Sequence, residues 1–265
     1  MSTTANRRIV LGALKLLPIA IIVFVSIFGV QSMMCWKVRQ FGKSNPVLWV
    51  IPQALHDSTP SKQPGLKLSA YGYEFEVPWG DIDKDRTMSG VFVTVYYSRS
   101  GPCLMFMNPE KTPNAKEIFL ADEEKRKVAM QIWGEKTFES NFTLTKAMLE
   151  TSPAQMAVFA PRAKTLGLGI LLLLKPSTAM GGETGIFTFD TPTIRGFQMG
   201  DPGKRPKYIS VRAFDMGDHQ LELTFGIQKS AIGQITQAEV NRVLQTVRPV
   251  TKSEDESGAG LIASR

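Results

Sequence analysis

Cysteine and histidine are scarce in this chain: 265 residues hold two of each. Two cysteines, Cys35 and Cys103, cannot build a disulfide framework, and nothing in their spacing supports a bridge between them. The two histidines, His56 and His219, stand far apart without Cys or His neighbours, and a zinc site needs three or four N or S ligands. No G-x-S-x-G elbow, H-E-x-x-H pair or Cys/His nucleophile pattern occurs. The glycine-rich "GGETG" at 181–185 has neither the spacing nor the Lys-Ser/Thr of a phosphate loop and reads as a turn after a helix. These absences remove every motif-based warrant for a hydrolase or nucleotide-binding enzyme. Paired-carboxylate hydrolysis stays open, because carboxylates paired in space leave no mark in sequence.

The hydrophobic share is 43% and the charged share 21%, which describes a globular chain. The formal charge is +7 and the pI about 9.4. Arg7, Arg8, Lys15, Lys37, Arg39 and Lys43 account for most of that excess, and all six flank or interrupt one apolar run. Charges placed that way belong to a membrane segment, so no nucleic-acid partner is expected.

That run is "LLPIAIIVFVSIFGVQSMMCWK" at 16–37. Residues 16–30 carry no charge, and counting back to Ile9, with Lys15 snorkelling, reaches the ~20 residues that cross a hydrocarbon core at ~1.5 Å each. Trp36 suits the headgroup belt. Three readings compete: an uncleaved anchor, a signal peptide cut after Ser32, and a lipid attached at Cys35. Bulky Met33 and Met34 argue against the lipid, and the reach back to Ile9 favours the anchor. Orientation is less marked. Lys37, Arg39 and Lys43 oppose Arg7 and Arg8, yet a short basic tail before an apolar run is the usual export arrangement. A single-pass membrane protein with its folded domain outside the cytoplasm is expected.

The remainder divides by composition. Residues 1–8 form a basic tail, 9–34 the transmembrane anchor (or signal peptide) and 35–65 a Pro-rich linker with Pro46, Pro52, Pro60 and Pro64. Residues 66–250 make a single domain, and 251–265 a disordered tail without periodicity. "LKLSAYGYEFEVPW" reads as one half-buried strand ended by Pro78, with Tyr73, Phe75 and Val77 on one face and Glu74 and Glu76 on the other. "GVFVTVYYSRSGPCLMFM" reads as a hairpin turning at 98–101, and "LADEEKRKVAMQIWGEK" as a helix. A short helix is expected over 143–150. Ser152 and Gln155 form a capping-box signal, with Pro161 breaking the helix that follows. Nine apolar residues at 166–174 are too few to span a bilayer and read as a buried core helix. After Gly181 four strands are separated by turns, and "ITQAEVNRVLQTVRP" closes the domain as a helix capped by Thr236 and Glu239. Strands and helices come in runs. The predicted class is α+β, a largely antiparallel sheet with packed helices, preceded by one N-terminal transmembrane helix.

Candidate chemistry is thin. Asp81, Asp83 and Asp85 of "DIDKDR" resemble the start of a calcium loop, but Arg86 and Phe92 stand where an EF-hand needs Gly and Glu. A solvated acidic turn is the expectation, and no metal or other cofactor is expected. Lys204, Arg205 and Lys207 in "GDPGKRPK" could meet an anion or a phospholipid headgroup, though a charged hairpin tip explains them as well. "NFT" at Asn141 is a glycosylation sequon. No catalytic residue is nominated.

The "YEFEVPW" strand, the central sheet and the final "QAEVNRVLQTVR" helix resemble the fold group of PsbP-like and DcrB-like proteins. The resemblance covers mainly the two ends of the domain and implies a non-enzymatic binding or assembly role; it carries no residue roles. The expected function is therefore a membrane-anchored binding module for a protein partner or ligand. The alternatives are a membrane-tethered hydrolase, which would need a pocket bringing Asp81, Asp83 or His219 together, and a structural envelope component.

Overall fold

The computed structural model describes residues 3–56, 59–157, 159–227 and 235–250, with the side chains of 3–17, 19, 20, 24, 26 and 27 outside the described set. Helix α1 (Thr3–Ser44) is followed by a 3-10 turn over Pro46–Trp49 and the short strand β1 (Gln53–Ala54). Next come β2 (Leu66–Ala70), β3 (Tyr73–Val77), β4 (Ile82–Ser89), β5 (Val93–Ser98) and β6 (Pro102–Met107). A helical run holds α2 (Ala115–Leu120), α3 (Glu123–Trp133), α4 (Asn141–Glu150) and α5 (Arg162–Thr178). The chain closes with β7 (Ile186–Asp190), β8 (Ile194–Met199), β9 (Tyr208–Asp215), β10 (Gln220–Ile227), α6 (Gln237–Thr246) and β11 (Arg248–Pro249).

Strands β1-β7-β8-β9-β10-β6-β5-β4 form one sheet, and β11-β3-β2 a second. All pairings are antiparallel except β1 with β7. The class is therefore α+β with a large, mostly antiparallel sheet. One face of that sheet carries Leu104, Phe106, Val211, Leu221, Leu223 and Phe225 into a core shared with the small sheet and with Val240, Val243 and Leu244 of α6. The opposite face, with Phe197, Met199 and Phe214, packs toward α4. Beyond α4 lie two further apolar clusters that join α2, α3, α5 and the C-terminal part of α1.

The alternation read in "YEFEV" holds: Tyr73, Phe75 and Val77 are buried, while Glu74 and Glu76 pair with Arg248 and Arg242. Residues 66–77 are a hairpin rather than one strand, because Tyr71 and Gly72 both take positive φ (51° and 80°), as a tight two-residue turn requires. The helix expected over "LADEEKRKVAMQIWGEK" starts anew at Asp122, whose carboxylate accepts from the Lys125 N–H and caps α3. The Ser152–Gln155 capping box exists but opens only a single 3-10 turn, and α5 begins after Pro161. Within α5, Leu168, Leu171 and Leu172 are buried while Ile170 and Leu173 are exposed, so the apolar run is amphipathic rather than buried all round. The final helix has both halves of its predicted capping box.

"DIDKDR" is corrected from a turn to a strand. It forms the outer strand β4, paired to β5 with a shift in register between Asp83 and Met88. Alternating charges on an outer strand deter edge-to-edge pairing with other chains.

The largest departure concerns residues 35–65. Prolines there predicted a linker without a long helix, yet α1 runs on to Ser44 and its last turns are part of the domain: Cys35 and Val38 are buried against Leu168 and Leu172 of α5. Close approach is possible because Gly169 faces Met34, where an added Cβ would sit 3.1 Å from the sulfur. Gly167, two residues earlier, gives the same room to Ile132 and Val128 of α3. After the helix, Val47 and Leu48 are buried, and β1 pairs with β7. The prolines sit in the 3-10 turn and between short elements, where a missing N–H costs little.

Lys175 of α5 holds this arrangement together. The residue is fully buried, and its ammonium donates to the carbonyls of Val50 (2.7 Å), Thr151 (2.7 Å) and Leu48 (3.4 Å). Three segments distant in sequence thereby close on one charge. Burial pulls its pKa down to about 8.

Among the described residues no helix is long and apolar enough to cross a membrane. The segment 9–34 falls in good part on side chains outside the described set, and the tail 251–265 lies wholly outside it.

Replacing Lys175 with Met should destabilise the fold by roughly 2–4 kcal/mol at neutral pH, since three buried carbonyls lose their donor. With a folded pKa near 8 against an ordinary 10.5, the unfolded chain binds more protons between those values. Stability from this group therefore rises with pH across that window. The gap between wild type and Lys175→Met, from urea unfolding in mild detergent, should widen by roughly 2 kcal/mol between pH 7.5 and 10. A gap that stays constant would show that Lys175 does not titrate there.

Candidate functional site

The β9–β10 turn, "DMGDH", carries the densest polar network in the described residues. Asp215 ends β9 and is buried; its Oδ2 accepts from the Tyr73 hydroxyl at 2.7 Å. Its Oδ1 accepts from the N–H groups of Gly217 (2.8 Å) and His219 (2.9 Å), which folds the turn around the carboxylate. The ring Nδ1 of His219 lies 3.0 Å from Asp215 Oδ2, while the imidazole itself is largely exposed. Burial alone would raise the Asp215 carboxyl; the hydrogen bonds from Tyr73 and His219 outweigh it and hold the group below the usual carboxylate range. Burial and the neighbouring carboxylate push the Tyr73 phenol well above its ordinary value, so it stays a donor.

Asp218 sits in the same turn with φ of 65°, a left-handed conformation that Asp tolerates better than most residues. Its carboxylate accepts from the Asn141 N–H (2.6 Å) and the Phe142 N–H (3.2 Å), the first turn of α4, and lies 3.4 Å from Lys116 Nζ. A residue from the sheet thus serves the α4 N-terminus, where negative charge meets the positive end of the helix dipole. The Asn141 side chain is buried there, accepting from the Lys116 N–H and donating to the Asp218 carbonyl. A glycan on that sequon is incompatible with this packing.

These residues border a cleft of about 480 Å³, open to solvent, at which four segments meet. His219 and Asp218 come from the β9–β10 turn, Tyr71 and Tyr73 from the β2–β3 hairpin, Glu110 and Thr112 from the loop before α2, and Glu117 and Asn141 from the starts of α2 and α4. A wider hollow of about 720 Å³ runs along the β1–β7 edge, where Arg195 stacks over the Phe142 ring at 4.4 Å. Only the first cleft holds a hydrogen-bonded Asp–His pair among the described residues. An imidazole so oriented can take a proton from a ligand or donate a hydrogen bond to it. No seryl, threonyl or cysteinyl nucleophile is hydrogen-bonded to His219 in the described residues.

Of the residues singled out from sequence, His219 lies in this cleft and the others lie elsewhere. Asp81 accepts from the Ser98 hydroxyl (2.5 Å) and the Ser100 N–H (2.7 Å), and so braces the β5–β6 turn. Asp83 accepts from the Asp85 N–H, and Asp85 is exposed on β4. No group of three or more His, Cys, Asp or Glu among the described residues is placed to hold a metal ion. By the strand register, the β9–β10 turn meets the Met107 end of β6, and Asp81 sits at the other end of the sheet, so His219 and Asp81 do not converge. Lys204 donates to the Thr184 carbonyl at 2.9 Å, Arg205 takes φ of 53° in the turn, and Lys207 is exposed beside them. They form a solvated tip. The sequence named His219 but not its carboxylate partner: Asp215 lies in a turn, and the Tyr73 that completes the network is 142 residues away.

No protein-family model, curated protein or solved structure matches this chain.

Asp215→Asn should lower stability at pH 7 by roughly 1–2 kcal/mol, since the carboxylate's charge supports three donors. A depressed folded pKa gives stability that is present above the unfolded value near 3.9 and lost as pH falls through the folded value. The gap in urea midpoint between wild type and variant should therefore narrow as pH falls below the unfolded value near 3.9. An equal gap at pH 3 and pH 7 would mean that the charge is not what Asp215 contributes.

Proposed function

We propose that this chain is a single-pass, membrane-anchored binding module, whose α+β domain holds its cleft close to the membrane surface and outside the cytoplasm. One observation carries the reading. Helix α1 is docked in the domain at Cys35 and Val38, yet toward its N-terminus Ile21, Ile22, Val23 and Val25 lie exposed on a charge-free run. A helix that is apolar on uncovered faces needs an apolar solvent, and the uncharged length fits a hydrocarbon core. Because the last turns of α1 belong to the domain, no flexible spacer separates the two. The transverse position of the cleft is then fixed by packing. Export is supported by the short basic tail before the run and by the tolerance of long domains for translocation.

A polar ligand or the polar side chains of a protein partner suit the cleft, which offers His219, Glu110, Glu117, Tyr71 and Thr112. A second reading is favoured by the Asp215–His219 pair alone: the imidazole would act as general base toward a water in a membrane-tethered hydrolase. The absence of a hydrogen-bonded nucleophile among the described residues weighs toward binding.

The anchor is tested by extracting membranes at alkaline pH and sequencing the mature N-terminus, with a C-terminal reporter enzyme that works only outside the cytoplasm. The protein should stay in the pellet, keep residues 9–34 and give an active reporter. Release into the supernatant, or a mature chain starting after Ser32, would overturn the anchor; an inactive reporter would reverse the orientation.

A further inference from the structure

The loop before α5 meets α1 where the helix leaves the domain. The Phe159 ring packs edge-on against Phe28, with centroids 5.4 Å apart, and the Ala160 carbonyl accepts from buried Gln31 Nε2 at 2.9 Å. The other side of the loop is tied down as well, since buried Thr165 donates to the Ala157 carbonyl at 3.2 Å. A loop pinned at both ends nevertheless leaves Phe159 75% exposed, and Pro161, Arg162, Ala163 and Lys164 behind it are all exposed. In the described residues one face of α1 is covered by the domain from Gln31 onward, with Met33 and Trp36 exposed on the other, and the helix is bare at Ile21, Ile22, Val23 and Val25. Phe28 stands at that margin, two residues before Val30, after which polar Gln31 and Ser32 interrupt the apolar run.

Resting on the anchor reading, we infer that residues 159–164 form a second membrane contact. Phe159 enters the boundary between acyl chains and headgroups beside α1, and Arg162 and Lys164 meet anionic headgroups. The domain is thereby seated against the bilayer instead of hanging from a single helix. Continuity selects lipid over a protein partner: the exposed ring abuts the helix at the level where its apolar run ends. From there the distance along α1 to the bare residues Val25–Ile21 is only about 5–11 Å at ~1.5 Å per residue. An aromatic followed within five residues by two cations is also the composition that suits an interfacial segment. The later turns of α5 follow α1 upward, with Gly169 beside Met34 and Leu172 clustered with Val38, so the start of α5 is its membrane-proximal end.

The test uses the full chain with Cys35 and Cys103 replaced by Ala. In separate proteins Phe159→Cys, Ile22→Cys and Met216→Cys carry an environment-sensitive fluorophore. Each is reconstituted in phosphatidylcholine vesicles, with or without phosphatidylglycerol, that contain a lipid-borne quencher. Quenching at 159 and 22 but not at 216, with the 159 signal roughly twofold stronger when anionic lipid is present, is the expected result. That anionic gain should vanish in Arg162→Gln/Lys164→Gln. Quenching at 22 without quenching at 159 overturns the second contact and leaves the anchor standing. No quenching at either overturns both, and equal quenching at all three also overturns the inference. An anionic gain that survives the double variant removes the headgroup role of Arg162 and Lys164.

Discussion

The ammonium of Lys175 and the three carbonyls around it are the constraint on which the helical half of this molecule depends. A buried cation without a carboxylate partner is held only by dipoles, so Leu48, Val50 and Thr151 must all present their carbonyls at one point. That requirement fixes the segment after α1 against the end of α4 and the last turn of α5. Once it is fixed, Val47 joins the cluster under the sheet and Leu48 the cluster beside α1. The two glycines of α5 then let α1 and α3 close on either side of it. A stretch that looks like a spacer becomes a structural hinge-pin between sheet, helices and anchor.

A similar economy runs through the β9–β10 turn. Asp215 and Asp218 are three residues apart and face different parts of the molecule. One carboxylate gathers Tyr73 and the turn's own N–H groups, while the other caps α4 and meets Lys116. The turn thereby couples the small sheet to the helical layer, and His219 is left exposed at the junction. A cleft formed at such a meeting of four segments is as rigid as the hydrogen bonds that define it. In the proposed binding role, the turn is where a ligand would be recognised.

Taken with the docked α1, the two features give the molecule a direction. Helix α1, the loop around Phe159 and the start of α5 lie at one margin, and the domain continues from them through the packed last turns of α1. In the proposed setting the bilayer acts on the domain as a surface and not merely as a tether. Apolar and cationic side chains left bare by the fold have an environment there that water does not supply.

Much of the local structure was legible in the chain itself. Alternation in "YEFEV", the β-branched hairpin at 93–107 and the Thr236–Glu239 capping box each rest on neighbours within a few residues, where periodicity and side-chain chemistry act directly. So did the apolar run, whose length is a property of sequence alone. What only the tertiary structure decided has partners far apart. Examples are Lys175 with Val50, Tyr73 with Asp215, Gln31 with Ala160, and Gly169 with Met34. Prolines at 46 and 52 announce where regular structure stops but not that Val47 and Leu48 between them are buried. Carboxylates at 215 and 218 announce a turn but not what they will hold. Such contacts follow from close packing of whole layers, and a charge or a void is satisfied there by whichever group the fold brings within 3 Å, regardless of its distance along the chain.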